Sequence, residues 1–173
     1  MGSPFNLPNV NVVLSNMLSE WGEIPYAELS IVLVHLRSLA LIHQNNHWTA
    51  RGDSFYSDHG LFERLYNEIV PEIDAVAEKA VGLGNENNVN LNLQIIQTLK
   101  LVQTNNTTTM IPASNQLVVN SLVAETNFLT VIDYLLTSMK NKRTTTSGIE
   151  NLLQDISDKH EGHVYILKQR SKR

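Results

Sequence analysis

The chain has 173 residues, of which 42% are hydrophobic and 17% charged, a length and balance that favour one domain with a buried core over a disordered or fibrous chain. It contains no cysteine, which excludes a disulfide scaffold, a cysteine nucleophile, a zinc finger and an iron–sulfur cluster. A net charge of −4 and a pI near 5.8 exclude nucleic-acid binding through overall charge and leave only local patches.

Residues 1–25 carry Pro4, Pro8 and Pro25 and read as an extended N-terminal arm around one apolar turn, Val12 to Leu18. No basic run precedes an apolar stretch there, so no secretory signal is expected. No run reaches 18 apolar residues, so no membrane span is expected, and the expected compartment is the cytoplasm. From Ala27 to about Trp48 the pattern is helical, with Leu29, Val32, Leu33, Leu36, Leu39, Ala40 and His43 on one face. Ile31, Val34, Leu41 and Ile42 lie off that stripe, which predicts a helix buried on more than one side, with another subunit as the second cover.

Arg51-Gly52-Asp53-Ser54 reads as a turn with glycine at positive φ and Asp53 or Ser54 as the next N-cap. A second helix is predicted from about Phe55 to Gly82, with a core stripe of Leu61, Phe62, Leu65, Ile69, Ile73, Val76 and Ala77. Pro71 interrupts it and predicts a kink or local break, and Gly82-Leu83-Gly84 ends it. A long connection follows to about Pro112, with a short helix over 93–101 and a Thr/Asn cluster from Thr104 to Thr109 as loop. A third helix runs from about Ser114 to Met139, a basic loop spans Lys140 to Arg143, and a fourth helix covers Ser147 to Lys168. The expected architecture is an all-α four-helix bundle over 26–168, with a short helix in the connection between helices two and three and a basic tail at 169–173.

The residues with ligand chemistry are His47, His59, Glu63, Asp74 and Glu78. His59/Glu63 and Asp74/Glu78 are i, i+4 pairs, so each presents two donors on one helix face. Mixed imidazole and carboxylate donors suit iron, zinc or manganese, although such a pair taken alone is as ordinary as any solvated helix face. His59 and Asp74 lie 15 residues apart on one predicted helix, roughly 22 Å at about 1.5 Å per residue. Either they form no joint site or a symmetry-related copy unites the two halves, twice over, across a two-fold axis.

Four stretches carry a resemblance. His47-Trp48-Thr49-Ala50-Arg51-Gly52-Asp53-Ser54-Phe55 is followed by His59, Phe62, Glu63, Leu65 and Tyr66, then by Ile73-Asp74-Ala75-Val76-Ala77-Glu78-Lys79. The last predicted helix carries His160-Glu161-Gly162-His163-Val164-Tyr165-Ile166-Leu167. In residue type, order and spacing these motifs resemble the Dps family of mini-ferritins over residues 27–168. The resemblance implies a ferritin-like bundle and a two-iron ferroxidase site built between subunits. His47 and His59 would come from one subunit, and Asp74 and Glu78 from its two-fold mate. Glu63 stands where the family has aspartate and would serve as a further carboxylate, while Trp48 would lie near the metals and take part in one-electron chemistry. The implied reaction oxidises ferrous iron with hydrogen peroxide or oxygen and stores ferric mineral in a hollow shell of 12 subunits, which protects against oxidative damage. Zinc or manganese would be substitutes at the site.

The sequence departs from the family pattern at Lys79, which replaces an arginine, at Tyr165, which replaces a tryptophan, and at the basic segment 140–143, where the family has an acidic iron entry. A basic entry would repel ferrous iron. With Pro71, this leaves an alternative reading, a catalytically impaired shell acting as a structural or DNA-associating particle. DNA contact would rest on Lys168, Arg170, Lys172 and Arg173, repeated around a shell, although cations at a helix C-terminus are also favourable in themselves. His43 reads as a core histidine with a hydrogen-bond partner and His35 as subunit surface. His160 and His163, with Glu161 beside them and Asp155 and Asp158 before them, form a candidate second metal site. A site in the middle of one bundle, of the kind built from two Glu-x-x-His motifs, is not expected, because neither Glu72 nor Glu161 has histidine three residues on.

Overall fold

The computed structural model describes residues 10–105 and 113–172. Six α-helices and one 3₁₀ turn occupy them, with no strand among the described residues: α1 (Val10–Trp21), α2 (Ala27–Thr49), α3 (Phe55–Leu83), the turn Glu86–Val89, α4 (Leu91–Asn105), α5 (Ser114–Lys142) and α6 (Ser147–Ser171). Helices α2, α3, α5 and α6 form the bundle. α2 and α3 are antiparallel: His47 meets His59 at one end, and Asn88, just past α3, reaches Ser30 at the other. α5 and α6 are antiparallel too, joined at one end by the Lys140–Glu150 ion pair and at the other by Arg170 on Asn115. The described part of the connection carries α4, which lies against α2, in keeping with a long crossover link between the two hairpins.

Within the expected arm, the described residues 10–25 are not extended, and residues 1–9 lie outside the described residues. Residues 10–21 form a helix whose Leu14, Met17 and Trp21, at i, i+3, i+7 spacing, are buried in the main core. The prolines flank this helix rather than interrupt it, and Trp21 Nε1 donates to Gln97 Oε1 at 2.8 Å, fastening α1 to α4. This packing also changes the reading of α2. Ile31 and Val34, off the main stripe, are fully buried within the one chain, because α1 and α4 cover the side of α2 that another subunit was expected to cover. Leu41 alone of the off-stripe set stays open, 52% exposed.

Pro71 neither ends nor interrupts α3, which is a single helix across it. Its ring lies on the exposed face, where water can satisfy the carbonyl that loses an N–H donor. Gly52 has the positive φ expected of the α2–α3 turn, at 81°. Ser54 is the N-cap position of α3 but makes no side-chain capping bond. The short helix of the connection is longer than expected, taking in Thr104 and Asn105; the remainder of the Thr/Asn cluster lies outside the described residues. Asparagine serves as a cap here: Asn85 and Asn88 close a reciprocal capping box on the 3₁₀ turn.

The basic segment 140–143 is not a free loop. Lys140 and Lys142 belong to the last turn of α5, where cations suit the helix C-terminus. Lys140 pairs with Glu150 and Lys142 with the buried Glu28, each at 2.6 Å. At the other end, α6 runs on through 169–171, where the basic tail was expected. Arg170 donates twice to the buried carboxylate of Asp58, at 2.6 and 2.9 Å, and ties the end of α6 to the start of α3.

Candidate metal centre

His47 lies in the last turn of α2 and His59 in the second turn of α3, so the tight Gly52 turn folds them onto each other. Their rings stack with centroids 3.7 Å apart and 24° between planes. Each fixes the other's helix end: His47 Nδ1 bonds the His59 carbonyl and His59 Nδ1 bonds the His47 carbonyl, both at 2.9 Å. A carbonyl oxygen only accepts, so both Nδ1 atoms carry the proton and donate. Each Nε2 is therefore left as the ring's lone-pair donor, the tautomer a metal-binding histidine needs. Tyr66 stands edge-on to His47 and Phe55 lies against His59, with centroids at 5.5 and 5.0 Å, and these rings hold the pair in place.

The remaining candidate residues are not gathered with this pair inside one chain. Glu63 is exposed one turn beyond His59, and Trp48 is 66% exposed beside His47. Asp74 and Glu78 are exposed further along α3. Because α3 is continuous, the separation of roughly 22 Å between His59 and Asp74 stands. Glu63 and Asp74, eleven residues apart, come round to within about 20° of the same helix face.

A second constellation lies inside the bundle. His43 of α2, Glu72 of α3, Glu125 of α5 and His160 and His163 of α6 are all buried. Glu125 accepts from His43 Nε2 at 2.7 Å, from His163 Nδ1 at 3.2 Å and from His160 Nδ1. The other nitrogens of the α6 pair face carboxylates of α3: His160 Nε2 is 3.0 Å from Glu72 and His163 Nε2 is 2.9 Å from Glu68. Burial raises the pKa of a carboxyl, but the charge of His160 and the three histidine hydrogen bonds hold Glu125 well below the ordinary value. Burial lowers that of an imidazole, yet Glu125 and then Glu72 raise His160 to about 9.

His43 is thus the expected core histidine with a partner. His35, expected at the surface, is buried against Phe128 and donates from Nδ1 to the Ile31 carbonyl at 2.9 Å. Burial lowers its pKa to about 4. His160 and His163 turn away from the expected neighbours: Glu161, Asp155 and Asp158 are exposed, and Asp155 pairs with Lys159 at 2.7 Å. Glu68 and Glu125 escaped the sequence reading because their partners lie up to 95 positions away, and Glu72 was weighed only for a histidine three residues on, whereas its partner is His160. The one available signal was a lone glutamate, Glu125, on the apolar stripe of α5.

No protein-family model matches the chain. Among curated proteins, the nutrient stress-induced DNA-binding protein of Nostoc sp. is 34% identical over 56 residues, which is 32% of this chain and 30% of that relative. The matched stretch is thus under a third of the relative's length. Among solved structures, Dps from Thermosynechococcus elongatus superposes with a TM-score of 0.66 at 18% identity, covering 94% of each chain. Mycobacterium smegmatis Dps superposes with a TM-score of 0.68 at 14% identity, covering 98% of this chain and 94% of its own. The fold is that of the Dps proteins. The residues quoted for the resemblance lie on the end of α2, along α3 and on α6. Of the cationic residues considered for DNA, Arg170 is engaged by Asp58, Lys168 and Lys172 are exposed, and Arg173 lies outside the described residues.

Proposed function

We propose that this chain is a mini-ferritin of the Dps family, oxidising ferrous iron at sites shared between two copies and storing the ferric product in a closed shell of 12 subunits in the cytoplasm. The observation that carries this reading is the pair of reciprocal backbone bonds at His47 and His59, which occupies both Nδ1 atoms and leaves both Nε2 atoms as the available ligand atoms. Iron is the substrate. His47 and His59 of one copy would bind it together with Asp74 and Glu78 of another, with Glu63 as an added carboxylate. Carboxylate and imidazole donors hold both ferrous and ferric iron. Two ferrous ions each give one electron to a peroxide, whose O–O bond breaks and whose oxygens leave as water after taking up two protons. Trp48, exposed beside His47, is placed to supply or relay a single electron.

An apolar face supports the two-copy arrangement. A groove of about 390 Å³ between α2 and α4 is lined by Leu41, Ile73, Leu91, Ile95 and Leu99, and Leu41 continues into a second hollow that reaches Trp48. Ile73 adjoins Asp74 and Trp48 adjoins His47, so a second copy seated on this face would cover apolar surface between the two halves of the site. The impaired-shell alternative draws less support, since α3 is continuous at Pro71 and both lysines of the 140–143 segment are paired. DNA association would rest on Lys168 and Lys172, with a weak salt-sensitive contact multiplied around a shell.

The test is ferrous oxidation under peroxide and under air, comparing the wild type with Asp74→Ala/Glu78→Ala. The expected result is a rate loss of roughly 100-fold or more, since even outer-shell partners of metal ligands cost 10–100-fold. Equal rates in both proteins would contradict the reading.

A further inference from the structure

We propose that each chain also binds one divalent transition-metal ion wholly within its own bundle, with Glu125, His160 and His163 as ligands. One ligand atom from each of these residues can be chosen so that all lie within 4.8 Å of one another. Small rotations would bring them to a shared ion at about 2.0–2.2 Å. All three are buried, and they come from two helices that the α5–α6 hairpin already fixes. The donor set of two imidazoles and a carboxylate suits zinc or ferrous iron and disfavours calcium or magnesium.

Unpartnered atoms supply the second argument. Two buried atoms of the same cluster, His43 Nδ1 and Glu72 Oε1, have no hydrogen-bond partner. Glu72 Oε1 lies 3.7 Å from Lys159 Nζ. Each offers a lone pair or a rotated ring to a cation or to a water on it.

This ligand set is not the Glu-x-x-His pair excluded from the sequence. Here α6 supplies His-x-x-His, α5 a single glutamate, and α3 the carboxylates Glu68 and Glu72 that face the far ring nitrogens. Such carboxylates orient metal-bound imidazoles and raise their basicity. Glu68 is 37% exposed in its side chain and marks the side from which an ion enters. The site is complete in one chain and independent of the inter-subunit reading.

Anomalous diffraction from crystals of the metal-stripped full chain grown with zinc tests the proposal, together with zinc content after equilibrium dialysis. The expected result is one zinc between Glu125, His160 and His163 in each bundle, present equally in wild type and in Asp74→Ala/Glu78→Ala. Glu125→Gln, which keeps the shape and removes the charge, should weaken this zinc by roughly 100-fold, and His160→Ala/His163→Ala should abolish it. If the substituted chains fail to fold, the wild-type crystal still decides. Zinc only at other positions, no zinc at all, or zinc affinity unchanged by Glu125→Gln would overturn the proposal.

Discussion

The two histidine clusters are built from the same side chains and differ in what completes them. At the α2–α3 corner, His47 and His59 satisfy their Nδ1 atoms on each other's backbone and have no carboxylate partner among the described residues of their own chain. Inside the bundle, His160 and His163 meet carboxylates at both ring nitrogens. The corner is half a site, held rigidly and open; the interior is a whole one, closed by four helices. The difference teaches that the partners of a histidine's two nitrogens, more than its exposure, show which other groups would share a metal with it. It also predicts that the exposed carboxylates of the corner can be removed at little cost to the fold, whereas removing the buried carboxylate of the interior is costly.

The largest expected effect comes from breaking that contrast directly. Glu125→Ala leaves three buried histidines around a missing carboxylate and should lower the unfolding free energy by about 3–5 kcal/mol. Glu63→Ala, at an exposed position of the corner, should stay within about 0.5 kcal/mol. Urea denaturation of both variants checks this, and similar losses in the two would erase the distinction.

A second, smaller effect comes from pH. His35 is buried with a pKa lowered by desolvation to about 4. The unfolded chain takes up a proton below its ordinary pKa near 6.5, while the folded chain refuses it until about 4. Its contribution is therefore complete above 6.5, declines as pH falls, and is lost near 4. Across that window the wild type should lose stability more steeply than His35→Gln, by up to about 1.4 kcal/mol per pH unit. Parallel stability curves for the two proteins would show that His35 does not remain neutral in the fold.

The corner was legible because its signals are local. His47, the Gly52 turn and His59 lie within 13 residues, and apolar periodicity placed α2, α3, α5 and α6 with small errors at their ends. What escaped is what long-range packing decides. Leu14, Met17 and Trp21 had helical spacing, but it is their packing on α2, α4 and α5 that buries them as one helix face. Pro71 could be judged only once its face was known to be exposed. The Arg170–Asp58 clamp and the Glu125 cluster join residues 112 and 35 positions apart, and nothing in either local segment announces the partner.

Mixed assembly tests the shared corner site most directly. Subunits carrying His47→Ala and subunits carrying Asp74→Ala/Glu78→Ala are each expected to oxidise ferrous iron slowly alone. Unfolded together in equal amounts and refolded, half of the two-fold pairs would be mixed, each with one intact site of two, so about a quarter of the wild-type rate should return. A mixture no faster than either variant alone would contradict a site shared between two copies.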